Sequence, residues 1–265
     1  YNISYDIVNW LFYNKSIIMA PKIKENYSPN FDPNPRKPNQ IRFLIFHYTG
    51  MRNEKAAIKR LTKIQSEVGT NYFIKKNGEI ILMVPDLYIA WHAGISQWGK
   101  YKFLNKHSIG IEISNPGHQF GYVNFSKKQI KSLIKLSIIL IKKYKINKNH
   151  ILGHSDVAPD RKKDPGEKFP WEVLYKNKIG TWHNLNNNKL SFFRRKTVSV
   201  KEIRLFMKNL VKLGYPNKGS IVKNKEKYHR LLIKAFQRRF RPELINGNID
   251  QECLLILNKL ASIKA

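Results

Sequence analysis

The sequence predicts an α/β fold, a mixed central sheet flanked by helices, followed by a small three-helix domain. Three observations predict it. Strand-type and helical runs interleave up to about Trp182; a long amphipathic segment beginning at Ser126 is spaced to cover one face of a sheet; and from Thr197 the apolar spacing is helical only. At 265 residues the chain is long enough for one sizeable core plus a small second domain.

In chain order, residues 1–26 form an N-terminal extension whose apolar run at 7–20 is interrupted by Asn9, Asn14 and Lys15 and follows no basic region, which makes it a poor signal peptide. From Tyr27 the Pro-rich stretch YSPNFDPNPRKPNQ reads as an extended arm, because Pro is excluded from helix interiors and central strands. Ile41 to Thr49 is an apolar β-type run that carries His47 to the rim of a sheet. Loose helical spacing covers Asn53 to Ser66. Asn71–Lys75 and Glu79–Val84 read as two strands of a hairpin across Lys76-Asn77-Gly78. Trp91 to Leu104 is irregular and carries Trp91, His92 and Trp98. Ser108 to Ser114 alternates as a strand, with Ile109, Ile111 and Ile113 on one face and Glu112 on the other. Ser126 and Gln129 make a capping box for a helix reaching Tyr144.

The loop that follows, Ile151 to Pro170, packs His154, several carboxylates and three Lys between turn-forming residues, and Pro159 with Asp164-Pro165-Gly166 argues against any helix inside it. A loop so loaded reads as a site. Trp171 to Tyr175 is a short helix, the α/β domain closes near Trp182, and residues 183–196 read as a linker to a helical domain over 197–265. Arg238, Arg239 and Arg241 cluster there, a charge run that reads as a solvated face.

A net charge of +31 favours polyanionic partners, but it comes mostly from Lys scattered beside Asn and Ile, the bias of an AT-rich genome, and no nucleic-acid motif accompanies it. The single Cys, Cys253, forbids an internal disulfide and any zinc site built on several thiolates. No run of eighteen apolar residues spans a membrane. Two His and one carboxylate make the protein ligand set of a catalytic zinc with a fourth position left for water. His47 and His154 supply the imidazoles, and Asp156, Asp160 and Asp164 all stand near enough in sequence to supply the carboxylate.

Five ordered blocks narrow this: FHYT at Phe46–Thr49, TNYFIKKNGEI at Thr70–Ile80, AWHAGIS at Ala90–Ser96, SIGIEISN at Ser108–Asn115 and GHSDVAPDRKKDPG at Gly153–Gly166. Together they resemble the zinc-dependent N-acetylmuramoyl-L-alanine amidases, the AmpD and AmiD family, over residues 27–182. The AmiD branch is the closer likeness. The resemblance implies zinc on His47, His154 and Asp164, Glu112 as general base and Lys162 facing the oxyanion. Asn71, Tyr72, Trp91, His92 and Arg161 are expected along the substrate cleft. Ala235-Phe236-Gln237 with Gly247 and Asp250 resembles a three-helix peptidoglycan-binding domain, although Cys253 stands where Thr is usual. The implied partners are peptidoglycan or muropeptides met by a monomer in the bacterial cell envelope (periplasm), with cytoplasm as the other compartment. The competing readings are a metal-free recognition module of the same fold and, resting on charge alone, a nucleic-acid-binding protein.

Overall fold

The computed structural model describes residues 21–218 and 222–264, so the apolar run at 7–20 lies outside the described residues. Ten strands are present among them: β1 (Ile23–Glu25), β2 (Phe31–Asp32), β3 (Phe43–Tyr48), β4 (Tyr72–Ile74), β5 (Ile80–Leu82), β6 (Ile89–Ala90), β7 (Gln97–Trp98), β8 (Tyr101–Lys102), β9 (Ser108–Ile113) and β10 (Ile151–Gly153). Six form the main sheet in the order β1-β5-β4-β9-β3-β10. Only the β4/β5 hairpin is antiparallel in it; the other pairings are parallel. The sheet is therefore mixed, and it starts before Tyr27, since β1 pairs with β5.

Burial explains the central strands. Phe43 to Phe46 on β3 and Ile109 to Ile111 on β9 are closed off on both faces, the composition expected of parallel strands covered by helices. The eight helices among the described residues are α1 (Glu54–Thr62), α2 (Lys127–Tyr144), α3 (His154–Val157), α4 (Trp171–Lys176), α5 (Asn187–Ser191), α6 (Val200–Leu213), α7 (Lys225–Phe240) and α8 (Gln251–Lys264). The capping box of α2 forms, with Ser126 Oγ accepting from Gln129 N at 3.1 Å and Gln129 Oε1 accepting from Ser126 N at 2.9 Å. Leu133, Leu136 and Leu140 then turn into the core. At the hairpin turn Gly78 takes a φ of 87°, and a Cβ there would lie 2.8 Å from Lys128 O, so glycine lets the hairpin meet α2.

Two readings of the chain need correction. The loop after β10 does contain a helix: α3 is a single turn completed before Pro159, and a proline cannot break a turn that precedes it. The arginines of α7 and its end are not a solvated face. Arg238, Arg239 and Arg241 are all buried, Arg241 against Asp250 at 3.2 Å and Arg239 against Asp156 at 2.6 Å. Phe206, Leu210, Tyr215, Phe236 and Phe240 join Trp98, Leu152, Trp171 and Trp182 in one continuous apolar cluster, so the C-terminal helices share a core with the sheet. Gln237 is spent on architecture. Its amide donates to Asn246 Oδ1 and Asn248 O and accepts from Gly247 N, holding the turn between α7 and α8.

Candidate active site

β3 and β10 run parallel side by side, and their C-terminal ends deliver two histidines to one point. His47 is the penultimate residue of β3, and His154 follows β10 as the first residue of α3. Asp164 is returned to the same place by the loop, its carbonyl accepting from Ser155 N at 2.8 Å. His47 Nδ1, His154 Nδ1 and Asp164 Oδ2 stand 3.0 Å from one another in a triangle. Among the described residues this is the group of side chains placed to share a metal ion.

The hydrogen bonds behind the triangle fix what it offers. Ser108 Oγ donates to Leu104 O at 2.6 Å, so its oxygen accepts from His92 Nε2–H at 3.0 Å. That leaves His92 Nδ1 bare to accept from His47 Nε2–H at 3.0 Å, which in turn leaves His47 Nδ1 bare. On the other side His154 Nε2–H donates to Ala93 O at 3.1 Å, and its Nδ1 is bare as well. Two nitrogen lone pairs and a carboxylate oxygen thus face one another at hydrogen-bond distance with no proton assigned between them. Such a set repels itself unless a cation sits among its members, and neutral imidazoles oriented from behind are what a metal requires. Burial, then the neighbouring His154, pushes His47 down to about 4, so it is neutral near pH 7.

Glu112 lies beside this group because β9 pairs with β3 in a register that sets it opposite His47. Burial first, then the charge of Asp164, raises its carboxyl well above the ordinary value, while Lys162 works the other way. Its Oε2 is closed off from solvent and has no hydrogen-bond partner. An unpartnered buried carboxylate oxygen is costly, and it is retained where a proton must be moved.

The triangle opens into a cleft of about 460 Å³ lined by Tyr48, Glu112, His118, Arg161, Lys162 and Lys163 among others. Of the expected cleft residues, His92 and Arg161 reach it. Arg161 directs Nη2 and Nε to the carbonyls of Ala93 and Ile95, bracing the segment that also receives His154. Asn71 and Tyr72 do not line the cleft. Asn71 is fully buried and ties Val84 O to Gly110 N, and the Tyr72 hydroxyl donates to Asp86 Oδ1 at 2.6 Å inside the core. Both precede or sit on a central strand, where an inward polar side chain is used to stitch the sheet. Trp91 is half-buried away from the cleft. Asp156 and Asp160 are engaged elsewhere, Asp156 with Arg239 and Tyr215 and Asp160 with Lys218 at 2.9 Å. Sequence reasoning missed Tyr48, His118 and Ser108; Tyr48 and Ser108 lay inside motifs already singled out, whereas nothing around Pro116-Gly117-His118 marks that histidine.

Two imidazoles at the ends of parallel strands and a carboxylate returned by the loop, beside a desolvated acid, make an arrangement that could hold a metal ion next to a group able to move a proton. The family model described as N-acetylmuramoyl-L-alanine amidase matches residues 37–167. AmiD of Escherichia coli is 33% identical over 233 residues, covering 83% of this chain and 82% of its own length. The chain belongs to the N-acetylmuramoyl-L-alanine amidase family. AmpD of Haemophilus influenzae, a 1,6-anhydro-N-acetylmuramyl-L-alanine amidase, is 34% identical over 163 residues, covering 55% of this chain and 86% of its own. Among solved structures, E. coli AmiD in complex with the substrate anhydro-N-acetylmuramic acid-L-Ala-D-gamma-Glu-L-Lys superposes with a TM-score of 0.73 at 32% identity, covering 88% of this chain and 92% of that one. AMPDH3 of Pseudomonas aeruginosa in complex with anhydromuramic pentapeptide gives 0.73 at 28% identity, covering 88% and 94%.

Proposed function

We propose that this protein hydrolyses the amide between N-acetylmuramic acid, intact or anhydro, and the L-alanine of the peptidoglycan stem peptide, with zinc held by His47, His154 and Asp164. The observation that carries the reading is the triangle of bare donor atoms beside the unpartnered Glu112 Oε2. Amides resist water because resonance protects the carbonyl carbon. When bound, zinc supplies a Lewis acid that makes water nucleophilic near neutral pH and polarises a carbonyl. Glu112 takes the proton from the attacking water and gives it to the leaving amine, a task suited to a carboxyl whose proton affinity is raised by burial. Lys162, half-buried on the cleft wall, faces the charge that develops on the carbonyl oxygen.

The same reading divides the chain into an extension over 1–26, whose β1 nevertheless joins the sheet, a catalytic part over 27–182, a linker over 183–196 and helices over 197–265 that engage the polymer. It places a monomer in the cell envelope working on peptidoglycan or muropeptides, with no specific nucleic-acid partner. Among the described residues no helix is long and apolar enough to cross a membrane. The test is to incubate the protein with purified muropeptides, with and without a chelator, and identify the new termini by mass spectrometry. Free lactyl carboxylate and free L-alanine amine, formed only without chelator, are expected. Cleavage at another bond would overturn the reading.

A further inference from the structure

Tyr48 follows His47 on β3, and its hydroxyl ends a hydrogen-bonded chain that begins at Glu167. The Glu167 carboxylate accepts from His118 Nε2–H, its two oxygens at 3.0 and 3.2 Å. With its proton on Nε2 the neutral ring has a bare Nδ1, which accepts the Tyr48 O–H at 2.9 Å. The Tyr48 proton is thereby committed, and among the described residues no donor reaches its oxygen, whose lone pairs are left for a ligand. The ring is held as firmly as the hydroxyl. Gly50 and Gly117 take φ of 57° and 67°, and a Cβ on them would lie 3.3 and 2.5 Å from Tyr48 Cε2, so both turns close on the ring because they carry glycine. Asn115 ties the two turns together. Its carbonyl accepts from Thr49 Oγ1 at 3.0 Å and from Gly50 N at 3.1 Å, and its Oδ1 accepts from Gly117 N at 3.0 Å. His118 is stacked on Tyr122, ring centroids 4.6 Å apart.

Tyr48 and His118 line the cleft together with Glu112 and Asp164. The cationic side chains there, Arg60, Arg161, Lys162 and Lys163, can only donate, and the two carboxylates are taken up by proton transfer and by the metal set. A bound amide brings an N–H that needs an acceptor, and leaving it unpaired is costly. We propose that the Tyr48 oxygen accepts the N–H of the scissile amide, with His118 and Glu167 as positioning residues that keep its lone pairs free for the substrate. The inference rests on the amidase reading. Attack by water turns the planar nitrogen pyramidal, and its new lone pair must receive the proton that Glu112 took from the water before the C–N bond breaks. An N–H pinned at Tyr48 directs that lone pair away from Tyr48 and holds the orientation while the proton crosses. Tyr48 keeps its own proton throughout.

The experiment compares two substrates of the full chain, a muramyl-L-alanyl peptide and its ester analogue with L-lactate in place of L-alanine, in which oxygen replaces the N–H. For each protein kcat/KM is measured on both. Tyr48→Phe should lose about 10-fold on the amide, the scale of one hydrogen bond, and change little on the ester. His118→Ala frees the hydroxyl to rotate, so it should show a smaller loss confined to the amide. His118→Asn, whose Oδ1 takes the place of Nδ1, should recover most of that loss. A role in folding alone would lower both substrates together. Equal losses on amide and ester, or an undiminished amide rate in Tyr48→Phe, overturns the proposal while the native chain's cleavage of the muramyl amide keeps the amidase reading standing. A native chain that cleaves no muramyl amide removes that reading and the proposal with it.

Discussion

Glu112 has no structural employment that the fold reveals: its Oε2 is buried and unpaired beside the triangle. Glu112→Gln preserves shape and removes the base, so turnover is expected to fall by roughly a hundredfold or more, measured by steady-state release of L-alanine peptides, while metal content is unchanged. Near-normal turnover would assign the proton to another group. A second residue, His183, links stability to pH. It is buried beside Trp182, its Nδ1 accepts from Leu185 N at 3.1 Å, and it bonds the Phe240 backbone. Burial outweighs that bond and lowers it from 6.5 to about 4. Because the folded state binds the proton less readily than the unfolded chain, the neutral form stabilises the fold above pH 6.5. That stability drains away as pH falls from about 6.5 to 4, by up to about 3 kcal/mol. His183→Gln should flatten this part of the acid limb in melts from pH 7 to pH 4.5; an unchanged slope would mean that other groups govern it.

At the scale of elements, α3 is one turn long and cannot hold itself. Asp156, two residues after His154, holds it. Its carboxylate accepts from Gly153 N at 2.8 Å, from Tyr215 at 2.7 Å and from Arg239 at 2.6 Å, and Arg239 also reaches Ile151 O and stacks over Trp171. Arg239→Gln leaves a buried carboxylate half-compensated beside the triangle. We expect a loss of about 3–5 kcal/mol, read by chemical denaturation. A change below about 1 kcal/mol would mean that water replaces the guanidinium. How much was legible in the sequence follows the range of each signal. The α2 capping box, the Asn-Gly hairpin and the alternation of β9 are local and stood in the chain, as did His47, His154 and Asp164 through their motifs. Asp156 as a structural acid was not legible, because its partners are 59 and 83 residues away. Asn71 and Tyr72 misled for the reverse reason: polar side chains in a motif look functional until burial shows them tying backbone together.

For the whole molecule, the shared core means that the C-terminal helices support the catalytic part. Gly99 N donates to Gly214 O at 2.6 Å, and Trp98 packs against Tyr215, so the irregular segment before β9 leans on α6. A truncated chain ending at Asn188 should therefore melt well below the full chain and cleave small muramyl peptides poorly, since it loses Tyr215, Arg239 and Phe240 together. A full Tm and full activity would show that the catalytic part stands alone.

The central claim is that His47, His154 and Asp164 form one metal site, and elemental analysis tests it most directly. Purified native protein should carry about one zinc per chain, and His154→Ala should carry little or none, because two remaining ligands cannot hold the ion tightly. Full zinc occupancy in His154→Ala would contradict the account.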